Sequence, residues 1–452
     1  MDRSAPVLLV FLAISGFARQ QVNPDAVVEE TTRQVADRRF EAASATLRHC
    51  VHLYPKDVRL WNLLGISEGE LGRMPSARDA FERGLKVAPD DVSLNENFGF
   101  LYYRQDQFAS AKPFLAKAVA LGSKSPGVAF SLAAARIRTG DRAKGLLELK
   151  SLEVPLAGFP DYWDERGWAE LPKDPVAAET DFARALSLAP DDLRGLNGAA
   201  SAAESRNLDE KALSFLLRAK QAHPADVDTL VHLGAVCLRR DLTIDALAAL
   251  EHAHKVAPSN NTALYFFARA QIGVQQWQKA HDLFSEFALR VPNFAATYYA
   301  LGWLDIKLNR RTQARKELEH CLQLAPDSSD PRYELARLDL DDGNIDSALT
   351  MLRAVLEQDP GHAKANVACA DILLKRGNLT EARSHYERAI QSDPTAGAAH
   401  YKLSTVLFRL NRPEEAEKER ALGTKLNADE LKSSKTVLRL ASPDGALLSA
   451  AQ

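Results

Sequence analysis

Apolar and small residues recur along this chain in a pattern that repeats every 34 residues. In one period Trp61, Leu64, Gly65, Ala77, Phe81, Gly84 and Pro89 stand at positions 4, 7, 8, 20, 24, 27 and 32. Positions 4, 7, 8 and 11 are spaced i, i+3, i+4, i+7, which puts them on one stripe of a helix, and 20, 24 and 27 form the stripe of a second. Small residues at 8 and 20 (Gly65 with Ala77, Gly99 with Ala111, Gly234 with Ala246, Gly302 with Ala314) remove bulk where two helices approach closely. The two helices are therefore expected to close into an antiparallel hairpin. Polar turns such as Leu71-Gly72-Arg73 and Arg376-Gly377-Asn378 offer glycine for left-handed backbone at a helix end. Proline at position 32 stops the second helix, because its ring forbids continuation.

Nine prolines keep this period: Pro55 and Pro89, then Pro190, Pro224, Pro258, Pro292, Pro326, Pro360 and Pro394. A single hairpin cannot bury both of its faces, so successive hairpins must stack. The expected fold is all-α, a right-handed superhelical solenoid of about twelve helix-turn-helix repeats. An array of this kind offers a surface and not a single catalytic pocket.

Tryptophan, Leu-Gly, Ala, Phe, Ala or Gly, and Pro at these positions resemble the tetratricopeptide-repeat family, and the likeness runs over about residues 24 to 430. The stretch from Leu193 to Pro394 holds six repeats without insertion. An N-terminal repeat shows only its second helix, from Phe40 through Leu47 to Pro55.

Pro89 and Pro190 are 101 residues apart, one short of three periods, so the register slips once between them. Ser123 takes the first missing proline slot, and the second falls within Val154 to Pro160, where Pro155, Gly158 and Pro160 crowd together. A hinge or packing fault is expected over 153–162, with a slightly bent continuous array as the alternative. The chain then divides into 24–159, with repeats one to four and a degenerate fourth, and 160–430, with repeats five to twelve. The charged run Pro413 to Lys425 caps the second part, and 431–452 is a tail.

Residues 1–18 read as a secretory signal peptide. Ala5 to Phe17 carries no charge, and Gly16-Phe17-Ala18 offers small residues before a cut. The run is short for a membrane span of about 20 residues, which favours removal over an uncleaved anchor, the alternative. The expectation is an exported chain, periplasmic or extracellular, with no membrane span once the signal is gone. With 46% hydrophobic and 26% charged residues the composition is that of a folded protein. A net charge of -3 without a Lys/Arg cluster argues against a nucleic-acid partner.

No constellation for catalysis, cofactor or metal emerges. The closest His and Cys groups, His49 and Cys50 with His52, and His252 with His254, do not repeat at ligand spacing. Acidic pairs such as Asp164-Glu165 and Asp341-Asp342 read as solvated helix faces or turns. Cys50 and Cys321 fall at position 27, Cys237 at 11 and Cys369 at 7, all core slots in different repeats, which indicates buried thiols and not disulfides. The chain is not expected to be an enzyme.

The resemblance implies a concave groove lined by the first helix of each repeat, with positions 2, 5, 9, 12 and 13 facing a ligand. Positions 5 and 9 lie one helical turn apart. In three successive repeats they are Tyr265 and Arg269, Tyr299 and Trp303, and Tyr333 and Arg337, and these six are the candidate binding residues. Tyr, Trp and Arg concentrate binding energy at interfaces, although Tyr at position 5 is also an architectural residue of the family. The family's clamp for peptide termini, with Lys and Asn at 5 and 9, is not reproduced. Asn reaches position 5 only as Asn62 and Asn197, followed at 9 by Ile66 and Ser201, which counts against recognition of a chaperone carboxy terminus. The chain is thus expected to be a non-catalytic scaffold or adaptor that binds a protein or peptide in the cell envelope. The alternative is a recruiting or regulatory subunit of an envelope enzyme or a secretion or polysaccharide-export machine, with glycan binding in the groove.

Overall fold

The structure is a computed structural model that describes residues 23–432; the signal-peptide reading and nearly all of the tail lie outside the described residues. Twenty-five helices and no strand are found among the described residues. They group into two compact units whose boundary in sequence falls between Arg206 and Asn207.

The first unit comprises α1 (Pro24–Ala36), α2 (Phe40–Leu53), α3 (Val58–Glu70), α4 (Met74–Val87), α5 (Val92–Tyr103) and α6 (Phe108–Ala120). It continues through α7 (Pro126–Arg138), α8 (Arg142–Ser151), the short α9 (Glu153–Leu156), α10 (Pro160–Glu170), α11 (Pro175–Leu188) and α12 (Leu193–Ser205). The second unit begins with α13 (Asp209–Ala222), α14 (Val227–Arg239), α15 (Thr243–Val256), α16 (Asn261–Gly273), α17 (Trp277–Arg290) and α18 (Ala295–Lys307). It ends with α19 (Arg311–Leu324), α20 (Ser329–Asp341), α21 (Ile345–Gln358), α22 (Ala363–Lys375), α23 (Leu379–Ser392), α24 (Gly397–Arg409) and α25 (Pro413–Lys432). Within each unit, the first helix of a hairpin packs on its own second helix and on the next first helix, as α3 does on α4 and α5.

Local chemistry sets the corners. In several repeats an acidic or amide cap follows the proline: Asp91 accepts from Leu94 N at 2.8 Å, Asp226 from Thr229 N at 2.8 Å, and Asn260 from Ala263 N at 2.9 Å. Where position 4 carries a donor, that side chain bonds back to the carbonyl at position 32. Trp61 does so to Pro55 at 2.8 Å, Asn95 to Pro89 at 3.1 Å, Tyr298 to Pro292 at 2.9 Å and Asn366 to Pro360 at 2.9 Å. This bond satisfies a carbonyl that the broken helix leaves without a partner. Between the two helices of a hairpin, one residue is usually left-handed. It is glycine at Gly72, Gly140, Gly343 and Gly377, but Arg38, Asp106, Asp241, Gln275, Asn309 and Asn411 also adopt it, at φ of 57 to 59°.

Position 8 is a packing socket. A Cβ on Gly99 would lie 2.6 Å from Leu115, one on Gly234 2.3 Å from Leu250, and one on Gly302 2.7 Å from Leu318. The glycine therefore admits the large side chain at position 24 of the same hairpin, in addition to easing helix approach near position 20. The four cysteines are free and buried, and burial pushes the Cys237, Cys321 and Cys369 thiols up to about 11.

The slipped register is located by the helix starts. First helices begin at 24, 58, 92, 126 and 160, and the next begins at 193. The period therefore survives through 153–162 and loses its residue afterwards, where α10 ends after 11 residues and Leu171-Pro172-Lys173-Asp174 make the turn. This hairpin alone lacks the left-handed turn residue among the hairpins whose turns are described.

The same helix overturns the solvated reading of Asp164-Glu165, whose side chains are both buried. The cause is packing on both sides: α10 touches α7 and α8 as well as α11 and α12. Glu165 receives Arg138 through two bonds of 3.2 and 3.0 Å, and also Arg194. Burial pushes the Glu165 carboxyl up, but the two guanidiniums outweigh it and hold it below its usual range. Arg166 bonds Glu153 of α9 and Asp181 of α11, each at 2.7 Å, while its guanidinium lies 4.4 Å from the Trp163 ring centre. Asp341-Asp342, by contrast, is exposed and pairs with Arg311.

Candidate functional site

The six candidate residues lie on α16, α18 and α20, all in the second unit, and the structure separates them by environment. Tyr265 is fully enclosed. Its ring sits 5.6 Å from Phe284, 5.2 Å from Phe287 and 5.6 Å from Phe294, and burial raises its phenol. It has no surface to offer a ligand and belongs to the aromatic core. Trp303 is only 8% exposed, with Trp277 at 5.6 Å edge-on and the Lys307 ammonium 4.9 Å from its ring centre, so neighbours already cover most of it.

Arg269 is half-buried with its guanidinium 5.3 Å from the Phe266 ring centre, and burial lowers its pKa. Tyr299 is half-buried, its phenol raised first by burial and then by Asp330 and Glu334. Tyr333 packs against His362 at 5.3 Å. Arg337 pairs with the buried Glu334 at 2.8 Å, yet its Nε is enclosed without a hydrogen-bond acceptor. Burial pushes the Glu334 carboxyl up, with Arg337 opposing.

Tyr333 and Arg337 are the two candidates that meet in one cavity, of about 600 Å³. Its walls come from first helices: Tyr333, Arg337 and Leu340 of α20, then Lys364, Val367, Ala368, Asp371, Ile372 and Lys375 of α22, and Lys402 of α24. Ile345 and Leu352 of α21 form part of the lining. The cavity thus opens on the first-helix face, with an apolar base and a basic rim. Lys364, Asp371 and Lys375 stand at positions 2, 9 and 13, within the ligand-facing set, and could have been read from the sequence. Lys402 stands at position 6 and carried no such signal.

The arrangement combines an apolar base with a rim of positive charge. Among the described residues, no group of three or more His, Cys, Asp or Glu is placed to hold a metal ion. No described helix is long and apolar enough to cross a membrane.

Comparison with known proteins agrees with the repeat. Three profiles described as Tetratricopeptide repeat match this chain, one at 32–92 and 333–397, one at 373–436 and one at 295–328. The aspartyl/asparaginyl β-hydroxylases of Mus musculus and Homo sapiens are 32% and 31% identical over 77 residues. That match covers 17% of this chain and a tenth of each hydroxylase, and it is confined to a repeat segment. Among solved structures, the APC/C hetero-tetramer Cut9-Hcn1 superposes with a TM-score of 0.45 at 13% identity, covering 95% of this chain and 90% of that one. Yeast Tom70 gives 0.41 at 15% identity over 90% and 96%. A tetratricopeptide repeat protein from Parabacteroides merdae gives 0.45 at 18% over 53% and 96%. With its 34-residue hairpins, its glycine sockets and these profile matches, the chain carries tetratricopeptide repeats.

Proposed function

We propose that this protein is a non-catalytic scaffold that holds a partner protein or an extended peptide in the groove of its second unit. The observation that carries the reading is the cavity on the first-helix face, where Tyr333 and Arg337 meet cations from two further first helices. Concave sites with an apolar base and a few placed polar groups are where ligands bind. The test is a comparison of partner capture by the native chain and by an Arg337→Glu, Lys364→Glu variant whose helicity is unchanged by circular dichroism. Loss of one specific partner in the variant supports the reading; identical capture by both moves the site elsewhere.

The place of action is proposed to be the cell envelope, reached by export. The charge-free run Ala5 to Phe17 supports this. Mass spectrometry of the chain recovered from fractionated cells should find it outside the cytosol with its N-terminus near residue 19. A full-length chain confined to the cytosol would contradict export.

A further inference from the structure

The lining of the second unit's cavity is unbalanced in charge. Arg337, Lys364, Lys375, Arg376 and Lys402 face a single lining carboxylate, Asp371. That carboxylate is already committed: Lys402 reaches it at 2.6 Å and the Tyr386 hydroxyl donates to it at 2.5 Å. Arg376 is likewise held by Asp346 at 2.7 Å. Lys364 and Lys375 are exposed and make no ion pair among the described residues. Arg337 has spent one edge of its guanidinium on Glu334 and keeps an enclosed Nε with no acceptor. An enclosed donor without a partner carries a desolvation cost that a ligand oxygen would remove.

Between these cations the surface is apolar, with Val367, Ala368 and Ile372 on α22 beside the Tyr333 ring. We infer that the cavity takes an acidic peptide segment, its side-chain carboxylates on Lys364, Lys375 and Arg337 and an apolar side chain against Val367 and Ile372. This inference rests on the groove-binding reading and adds the chemistry of the occupant. A guanidinium edge suits a carboxylate, and lysines on flexible stems suit carboxylates at varied spacing. A nucleic acid is less well served. The chain as a whole is negative, at -3, and one face of Tyr333 is packed on His362 where a base would stack.

The experiment uses the full chain and fluorescence anisotropy with three short blocked peptides that alternate leucine with glutamate, glutamine or lysine. A single-stranded RNA oligonucleotide is the fourth probe. Blocked ends remove any terminal carboxylate. The glutamate peptide should bind, and binding should weaken with salt. It should fall about tenfold or more in Lys364→Glu, Lys375→Glu, a loss in the range expected for charged hydrogen bonds. Neither lysine makes an ion pair among the described residues, and Lys364 acts on the buried Glu334 carboxyl only through its charge, so circular dichroism checks that the variant keeps its fold. The lysine peptide should gain affinity for that variant. Equal binding of glutamate and glutamine peptides, or no effect of the double substitution, would overturn the acidic occupant. If the glutamine peptide still binds and is lost in Tyr333→Ala, the groove reading survives that failure. Binding of RNA through Lys364 and Lys375 without binding of the glutamate peptide, or binding of none of the probes, would also overturn the inference.

Discussion

Trp163 donates its indole N–H to the carbonyl oxygen of Ala157 at 2.8 Å, the same bond that Trp61 makes to Pro55. Ala157 thereby occupies the corner that proline holds in the regular repeats. Trp163→Phe keeps an aromatic ring but removes the donor and the smaller ring of the buried indole, so it should cost about 1 kcal/mol for the lost hydrogen bond and more for the space left behind. Urea unfolding of the variant measures it; an unchanged midpoint and slope would show the bond to be dispensable.

Gly302 is expected to be intolerant of size. A Cβ there would lie 2.7 Å from Leu318 and 3.2 Å from the backbone oxygen of Ala314, and the latter cannot move without displacing α19. Gly302→Leu should destabilise by about 1–3 kcal/mol or more, as overpacking does. A melting temperature equal to the parent's would mean that the position 8 socket is not formed.

Arg166 ties three elements together, through Glu153 of α9, Asp181 of α11 and the face of Trp163. Arg166→Ala leaves the buried Asp181 carboxylate without its cation, a change that typically costs about 3–5 kcal/mol. It should also speed proteolytic cutting within 153–162, where Val154 and Phe159 are exposed. Digestion patterns that do not differ between variant and parent would show that Arg166 does not hold this segment, and first cutting there in the parent would mark it as a hinge.

Asp164 lies fully buried in α10, and neither of its carboxyl oxygens has a hydrogen-bond donor. Its carboxyl and that of Asp192, the cap of α12, converge on Gly195, where a Cβ would sit 3.0 Å from one and 3.2 Å from the other. Two carboxylates have no hydrogen to share, so one proton completes the contact. Burial first, then Asp192, pushes the Asp164 carboxyl from 3.8 to about 8, with Asp161 adding to the rise and Arg194 opposing it. Between these values the folded chain binds a proton that the unfolded chain does not, so this contribution to stability falls as pH rises from about 4 to about 8 and is flat above. Asp164→Asn should lack the slope and gain stability relative to the parent across that window. Parallel stability curves for the two proteins would show that Asp164 is ionised throughout.

Gln275 sits in the left-handed turn position at φ 59°, where every other such turn but that of Arg38 has Gly, Asn or Asp. Left-handed backbone costs an ordinary L-residue about 1–2 kcal/mol, and glycine recovers most of this against its own chain entropy. Gln275→Gly is therefore expected to raise stability by about 0.5–1 kcal/mol. A fall in the unfolding midpoint would contradict the turn assignment.

Much of this fold was legible because the repeat is dictated by local rules. The stripe at positions 4, 7, 8 and 24 and the proline at 32 act within one hairpin, so Gly65, Phe81 and Pro89 announce their roles without knowledge of the neighbours. What sequence reading missed depends on contacts between hairpins. Asp164 and Glu165 look like any solvated acidic pair until α7, α8, α11 and α12 close around them. Trp61 reads as an apolar position, while its polar atom fixes the corner six residues earlier. In the groove, the 34-residue ladder pointed equally to Tyr333 and Arg337, which line the cavity, and to Tyr265, which does not, because Phe284, Phe287 and Phe294 enclose that ring from the following helix and corner. Lys402 enters the cavity from two repeats beyond Tyr333, a relation that no single period displays.

Entry of a partner into the groove of the second unit can be read directly by site-specific photo-crosslinking. A benzophenone amino acid replaces Tyr333 in the cavity or, as control, Glu357 on the exposed face of α21. Irradiation in a native extract should give a discrete adduct from position 333, competed by the blocked glutamate–leucine peptide, and none from 357. Adducts from 357 alone, or equally from both, would place partner binding on the outer face and contradict the account.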